Sequence, residues 1–225
     1  MHQHKSKKIL IYFLLLFLVG SINNIELNKI RFNKIKDIKI IGLGNNNKLL
    51  KNKIENLDLG NLFFIKSNEI INIIDSNSLV ESYEIYKKYP SSLVINIKKT
   101  KFLARINHNE KVFLIGSNGK LITNNSSSIK VPFIFGKPKI NEFLDFKRII
   151  DESKFSYEEI NNLFFFSSKR WDVELHNNII IKFPQSDVKE SLKLISEFLR
   201  NQNFKGIEEI DARIKNQIIL NGKRI

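Results

Sequence analysis

Asp172 and Glu174 stand two apart in Trp171-Asp172-Val173-Glu174-Leu175, which puts both carboxyls on one face of a strand, an arrangement a glycosidase could use. Neither has aromatic residues at a matching spacing to hold a sugar ring, so the pair is read as structural. Of four histidines, His2 and His4 lie in an N-terminal tail, and His108 and His176 are isolated in expected turns. Two separate imidazoles make neither a triad nor a metal site. There is no H-E-x-x-H, G-x-S-x-G or P-loop pattern, although Gly119-Lys120, Gly136-Lys137 and Gly222-Lys223 superficially invite the last. Glu158-Glu159 and Glu208-Glu209 are sequence neighbours whose side chains diverge, so they read as solvated or capping groups, not as an acid/base pair. The lone tryptophan, Trp171, reads as core filler. The expectation is that the chain is not an enzyme and carries no cofactor and no metal.

Backbone groups offer a different chemistry. A strand at the margin of a sheet presents unpaired N–H and C=O groups, to which a second chain can add a strand of its own. Gln217-Ile218-Ile219-Leu220 is apolar, β-branched and close to the C-terminus, so it is a candidate for such a margin. The residues alone favour a plainer reading, a strand buried inside its own sheet.

Composition sets the conditions under which any such site must form. There is no cysteine, so disulfides and thiolate chemistry are excluded. The net charge is +14, and the lysines are spread evenly among asparagine and isoleucine. That pattern reads as a compositional bias with at most loose attraction to anionic head groups. No nucleic-acid partner is expected.

Lys5, Lys7 and Lys8 run into an apolar segment of eleven residues, Ile9 to Val19. Basic flanks stay cytoplasmic while an apolar helix enters a bilayer, so the bulk of the chain is expected outside. Eleven residues are too few to cross ~30 Å of hydrocarbon at ~1.5 Å per residue. Extension to Ile25 takes in Gly20, Ser21, Asn23 and Asn24, and Val19-Gly20-Ser21 could be a processing site. On hydropathy alone an anchor and a cleaved signal peptide both remain open.

The remaining chain reads as two units of α+β class. Asp37 to Gly42 alternates like a half-buried strand. Leu49, Leu50, Ile54 and Leu57 have helical spacing, and Ser67 is expected to cap a helix whose stripe is Ile70, Ile71, Ile73 and Ile74. Strands are expected over Val80 to Lys87 and Ser91 to Lys98, turned at Tyr89-Pro90, giving the order β-α-α-β-β. From Phe102 the texture changes to short strands. A hairpin joins Phe102–Asn107 to Lys111–Ile115, Ser117-Asn118-Gly119 is a turn, and Ser126 to Ser128 mark a loop before Val131 to Gly136. A helix is expected over Asn141–Asp151, and Ser156-Tyr157-Glu158-Glu159 resembles a capping box opening another. Trp171–Leu175 and Ile179–Phe183 form a hairpin, and Asp187 and Glu190 can cap a last helix with Leu192, Ile195, Phe198 and Leu199 as its buried stripe. Ile207 to Arg213 and Gln217 to Leu220 are the final strands.

Taken in order, these pieces resemble the FtsQ/DivIB family of bacterial cell-division proteins. The resemblance rests on Ile38-Lys39-Ile40-Ile41-Gly42, Gly60-Asn61-Leu62-Phe63, Tyr89-Pro90-Ser91-Ser92-Leu93-Val94-Ile95, Ala104, the Ile115 to Ile122 turn, and Pro132 with Gly136. Arg170-Trp171-Asp172-Val173-Glu174-Leu175 leading to Phe183-Pro184, and Ile210-Asp211-Ala212-Arg213, complete it. It departs at Lys99 and Phe102, where the family usually carries a glutamate and a proline, and at Gly116, where an aspartate is common.

The resemblance implies a cytoplasmic tail (1–8), a retained transmembrane helix (9–25), a stalk (26–36), a POTRA-like domain (37–100) and a β domain of short antiparallel strands with flanking helices (101–225). It implies a non-catalytic divisome scaffold of the inner membrane at the division septum, single-pass, with its N-terminus cytoplasmic and its bulk periplasmic. It also implies that the region after Ile210-Asp211-Ala212-Arg213 binds the FtsB–FtsL pair through FtsB. By position that region is Arg213, Ile214, Asn216, Ile218, Ile219 and Leu220. A second surface on the POTRA-like unit, the Ile85 to Lys88 strand with the Ile70 to Ser76 helix, could hold other divisome proteins. The alternative is an exported periplasmic binding or assembly module with a cleaved signal peptide.

Overall fold

The computed structural model describes residues 3–22, 33–123, 129–201 and 206–222. Helix α1 runs Gln3–Ile22, and its apolar residues Ile9 to Val19 are all exposed. Among the described residues no helix is long and apolar enough to cross a membrane. Residues 23–25 of the expected span and 26–32 of the expected stalk lie outside the described residues, as does the expected Ser126–Ser128 loop.

The first folded unit follows the expected β-α-α-β-β order: β1 (Asp37–Ile41), α2 (Asn46–Glu55), α3 (Ser67–Asp75), β2 (Val80–Lys88) and β3 (Ser92–Lys99). The three strands order as β1-β3-β2, with β1 parallel and β2 antiparallel to β3. Alternation buries Ile38, Ile40, Leu93, Ile95 and Ile97 on one face, where Leu50, Ile54, Ile70 and Ile74 of the two helices meet them. Two details differ from the sequence reading. Leu49 points away from this core and is 65% exposed. Ser67 is the first helical residue, not the cap, and Lys66 before it makes no side-chain capping bond.

The second unit is a nine-stranded sheet of order β12-β11-β10-β9-β8-β7-β4-β5-β6. Its strands are β4 (Phe102–His108), β5 (Lys111–Gly116), β6 (Leu121–Thr123), β7 (Phe133–Phe135), β8 (Ile160–Phe165), β9 (Trp171–Leu175), β10 (Ile180–Lys182), β11 (Ile207–Asp211) and β12 (Ile219–Gly222). Helices α4 (Ile140–Asp151) and α5 (Val188–Asn201) complete it. The sheet is mixed, not antiparallel as expected, because the pairs β4–β7, β7–β8 and β10–β11 are parallel. Parallel neighbours need a crossover, and α4 and α5 are the crossovers for two of these pairs.

The expected helix after Ser156 is the largest correction. A single 3-10 turn, Tyr157–Glu159, opens straight into strand β8. A bulge sets Asn161 as an extra residue between the Ile160–Leu175 and Asn162–Glu174 pairs. Ile160 and Leu163 therefore both face the core although they stand three apart, which imitates helical spacing. His108 closes β4 opposite Lys111, so the turn proper is Asn109-Glu110, both at positive φ. The last strand begins at Ile219, two residues later than expected.

Register partners Ile106, Ile134, Leu163, Val173, Ile181 and Ile210 form one apolar row across six strands. Phe143, Phe146 and Ile150 of α4 and Leu192 and Ile195 of α5 share the same buried cluster with that row. Trp171 fills the remaining space, stacked 4.8 Å from Phe146 and tilted 4.7 Å from Phe165. The two units touch through the Ser117–Lys120 turn. Ser117 Oγ donates to Glu81 at 2.6 Å, and Asn118 Nδ2 donates to the carbonyls of Ser78 and Val80 at 3.0 and 2.8 Å.

Truncating Phe143, wholly buried against this row, to alanine is expected to cost ~3–5 kcal/mol in urea unfolding. Leu49→Ser is expected to stay within about 0.5 kcal/mol of the parent.

Candidate partner-binding edge

Strand β11 enters parallel to β10 because α5 carries the chain back across the covered face. Two bonds lock its exit: Ala212 N donates to Lys182 O at 3.0 Å, and the buried Ser191 Oγ of α5 donates to Ala212 O at 3.2 Å. The chain then reverses. Asn216 takes a φ of +59°, which asparagine tolerates better than most residues, and Gln217 N donates to Ile214 O at 3.2 Å. Strand β12 returns antiparallel, with Asp211 opposite Ile219 and Ile210 opposite Leu220. At its end, a Cβ on Gly222 would lie 1.9 Å from the Gly206 carbonyl oxygen, so the closing contact between β11 and β12 requires glycine.

β12 is the terminal strand of the sheet, and all four of its residues are exposed. Among the described residues no strand pairs with its outer margin. Leu220 continues the apolar row of the covered face but is 44% exposed, because among the described residues no helix covers it. Ile219 projects to the opposite face at 43% exposure. The edge therefore offers backbone groups along one line and an aliphatic side chain on each face.

The six residues carried from the sequence separate here into three groups. Ile219 and Leu220 form the exposed edge. Ile218 is half-buried against the core cluster and supports that edge from behind. Ile214, half exposed, and Asn216 sit in the turn, while Arg213 turns back onto Asp211.

The uncovered face beside the edge is charged. Asp172, Lys182 and Asp211 are successive register partners across β9, β10 and β11. Arg170 Nε donates to Asp172 at 3.1 Å, Lys182 pairs with Glu209 at 2.5 Å, and Arg213 Nε donates to both oxygens of Asp211 at 2.9 Å. Asn221 of β12 donates to Glu209 at 3.0 Å, tying the edge strand into the ladder. The Arg213 hydrogen bonds hold the Asp211 carboxyl below its ordinary range, and Lys182 does the same for Glu209. Asp172 moves the other way, because burial outweighs the attraction of Arg170. Lys182 is not singled out by the sequence, Glu209 is read there only as a solvated or capping group, and Gly222 only as part of a superficial Gly-Lys pair. The alternating charge of Ile207-Glu208-Glu209-Ile210-Asp211 was the available signal, but its cross-strand cations come from distant segments.

The other candidates stay apart from this edge. Asp172 is 4% exposed and clamped by Arg170, and Glu174 accepts from Asn162 Nδ2 at 2.6 Å. His108 packs its ring 6.2 Å from Phe113, and His176 is an exposed turn residue. Of the second expected surface, β2 is the other edge of the three-stranded sheet, while Ile70 and Ile74 of α3 are used in the core.

Comparison with known proteins adds a family. Residues 104–213 match the family model described as cell division protein FtsQ/DivIB, C-terminal. The match ends at Arg213, just before β12. Proteins named cell division protein FtsQ from Rickettsia bellii and Rickettsia felis are each 25% identical, over 202 and 195 residues, covering 82% of this chain and 70% of their own. The protein of that name from Bradyrhizobium diazoefficiens is 20% identical over 167 residues, covering 71% of this chain and 48% of its own. Among solved structures, the extracytoplasmic domain of the cell division protein DivIB from Geobacillus stearothermophilus overlaps 46% of this chain and 98% of its own, at 13% identity and a TM-score of 0.33.

Asp211 also sets a pH dependence. Its folded carboxyl titrates below the unfolded one, so its contribution is present above the ordinary carboxylate pKa and is lost as pH falls through the lowered value. Asp172, raised, opposes this: its ionisation costs stability, and the fold gains as pH falls through the raised value. Asp211→Asn is expected to lower stability at neutral pH by about 1 kcal/mol, given the half-exposed guanidinium, and to flatten the acid limb of a denaturation series. An acid limb identical to that of the parent chain would exclude Asp211 from that role.

Proposed function

We propose that this chain, an FtsQ/DivIB-family cell division protein, works as a non-catalytic scaffold of the divisome. Its partner is captured by strand addition at β12. The observation carrying this reading is the bare outer margin of the terminal strand, with Ile219 and Leu220 exposed on its two faces. Main-chain hydrogen bonds along such a margin supply affinity, and the alternate side chains supply selectivity. An incoming strand would also cover the last member of the apolar row, which the domain's own helices leave open. By the family resemblance the incoming chain is FtsB of the FtsB–FtsL pair, with Arg213, Ile214, Asn216 and Ile218 shaping the base of the edge. The Arg213–Asp211 pair keeps the charges beside the edge locally balanced, so the incoming backbone does not have to desolvate an isolated ion.

The reading extends to the other end of the chain. The three-stranded unit corresponds to the POTRA-like domain, and the Ile85 to Lys88 stretch of β2, whose outer margin no strand pairs among the described residues, is a second strand-addition site for other divisome proteins. Helix α1, with Lys5, Lys7 and Lys8 before the exposed run Ile9–Val19, anchors the chain in the inner membrane at the septum, its bulk periplasmic. The anchor uses the apolar continuation through Ile22 and Ile25. A cleaved signal peptide is the alternative, and the N-terminal residue of the mature protein decides between them.

Ile219→Lys places a charge on the edge without touching the core. It is expected to weaken capture of FtsB at least about tenfold, roughly 1.4 kcal/mol, while the thermal unfolding of the chain is unchanged. Capture of FtsB at parental strength by the folded variant rejects the assignment. Gly222→Val is expected to give the same loss by prising β12 from β11.

A further inference from the structure

We propose that the end of the three-stranded unit where the chain enters from α1 rests on an anionic lipid surface. Phe63, Phe64 and Tyr89 would sit at head-group depth, with Lys34, Lys36, Lys87 and Lys88 around them. This rests on the reading of α1 as a membrane anchor.

Three aromatic side chains are exposed together at this tip: Phe63 at 55%, Phe64 at 75% and Tyr89 at 58%. The rings of Phe63 and Tyr89 lie 5.1 Å apart, so the loop after Gly60 and the turn between β2 and β3 form one patch. The loop is shaped by its backbone. Gly60 takes a φ of +66°, and Asn61 Oδ1 accepts from the N–H groups of Phe63 and Phe64 at 3.0 and 3.1 Å. Leu62, fully buried, fixes the loop to the core of the unit. Exposed aliphatic residues scattered singly need no explanation, but a paired aromatic patch rimmed by cations has the composition of a membrane interface.

The position of the patch identifies its occupant. Among the described residues, the first backbone contacts after α1 are at this tip: Lys34 bridges Asn61, Ile35 N donates to Gly60 O at 3.0 Å, and Lys36 N donates to Ser91 O at 2.9 Å. Residues 23–32 separate α1 from it, and ten residues reach at most ~35 Å. A helix seated in a bilayer therefore confines the tip to the neighbourhood of that bilayer. The charge is complementary to lipid phosphate. Lys34 and Lys66 have acidic neighbours, Asp58 at 3.8 Å and Glu69 at 3.6 Å, whereas Lys87 and Lys88 have no ion pair among the described residues. Each free lysine near an anionic surface favours the bound state roughly fivefold.

Tryptophan fluorescence of the full chain in vesicles tests this, because the single native Trp171 is 5% exposed and lies in the other unit, giving a constant background. Phe64→Trp is measured in vesicles of brominated phosphatidylcholine with phosphatidylglycerol, beside Phe13→Trp as a reporter within α1. The expected result is a blue shift and a loss of roughly half the added emission for both, with the loss at position 64 falling severalfold in Lys87→Gln/Lys88→Gln. Quenching at position 13 with none at position 64 overturns the proposal, leaves the anchor standing and points to a protein occupant for the patch. No quenching at position 13 removes the anchor reading and the proposal with it. Equal quenching at position 64 in purely zwitterionic vesicles overturns the anionic surface.

Discussion

The covered face of the large sheet carries a row of aliphatic residues in register, and the strands outlast the helices that shield them. Ile106, Ile134, Leu163, Val173, Ile181 and Ile210 are buried beneath α4 and α5, while the seventh member, Leu220, is left half open. Burial of apolar area drives the sheet to keep adding strands, and backbone pairing requires each added strand to leave a new unpaired line. The exposed edge is therefore a direct consequence of how the domain gains its stability. Shielding Leu220 would take another helix or another chain.

Charge on the opposite face performs a complementary task. A row of Asp172, Lys182 and Asp211, with Arg170, Glu209 and Arg213 alongside, links β9, β10 and β11, and Asn221 extends it to β12. A one-residue slip of β12 would turn Leu220 to the polar face and break the Asn221–Glu209 bond together. Two kinds of interaction, one apolar and one polar, thus fix the same register. On the proposed reading, that rigidity lets the edge act as a template instead of a frayed end.

The two ends of the folded region have different chemistry. At one, Phe63, Phe64 and Tyr89 gather beside lysines where the chain arrives from α1. At the other, uncharged β12 offers backbone groups and two aliphatic side chains. Between them, the Ser117–Lys120 turn inserts donors into the first unit at Ser78, Val80 and Glu81. Lys99, Phe102 and Gly116, which depart from the family's usual junction residues, stand near this contact. An aspartate at Gly116 would displace the side chains of Asn118 and Thr100, since even a Cβ would approach Asn118 Oδ1 to 2.5 Å and Thr100 Oγ1 to 2.7 Å.

Local pattern was enough for most elements. Alternation in Asp37–Ile41 and Ser92–Lys99, and the three-four spacing of Leu192, Ile195, Phe198 and Leu199, reflect which side of one element must leave water, and that is encoded residue by residue. Strand β8 escaped because a bulge at Asn161 lends a strand the spacing of a helix, and only its neighbours in the sheet reveal the extra residue. The parallel pairings of β7 and β11 escaped for a related reason, since pairing partners are chosen by the crossovers α4 and α5. The same limit applies to the candidate site. Composition nominated Gln217 to Leu220 and could not distinguish an edge from a centre, because an apolar strand serves in either place. Strand order decided it, by setting β12 last, and that order depends on contacts between segments far apart in the chain.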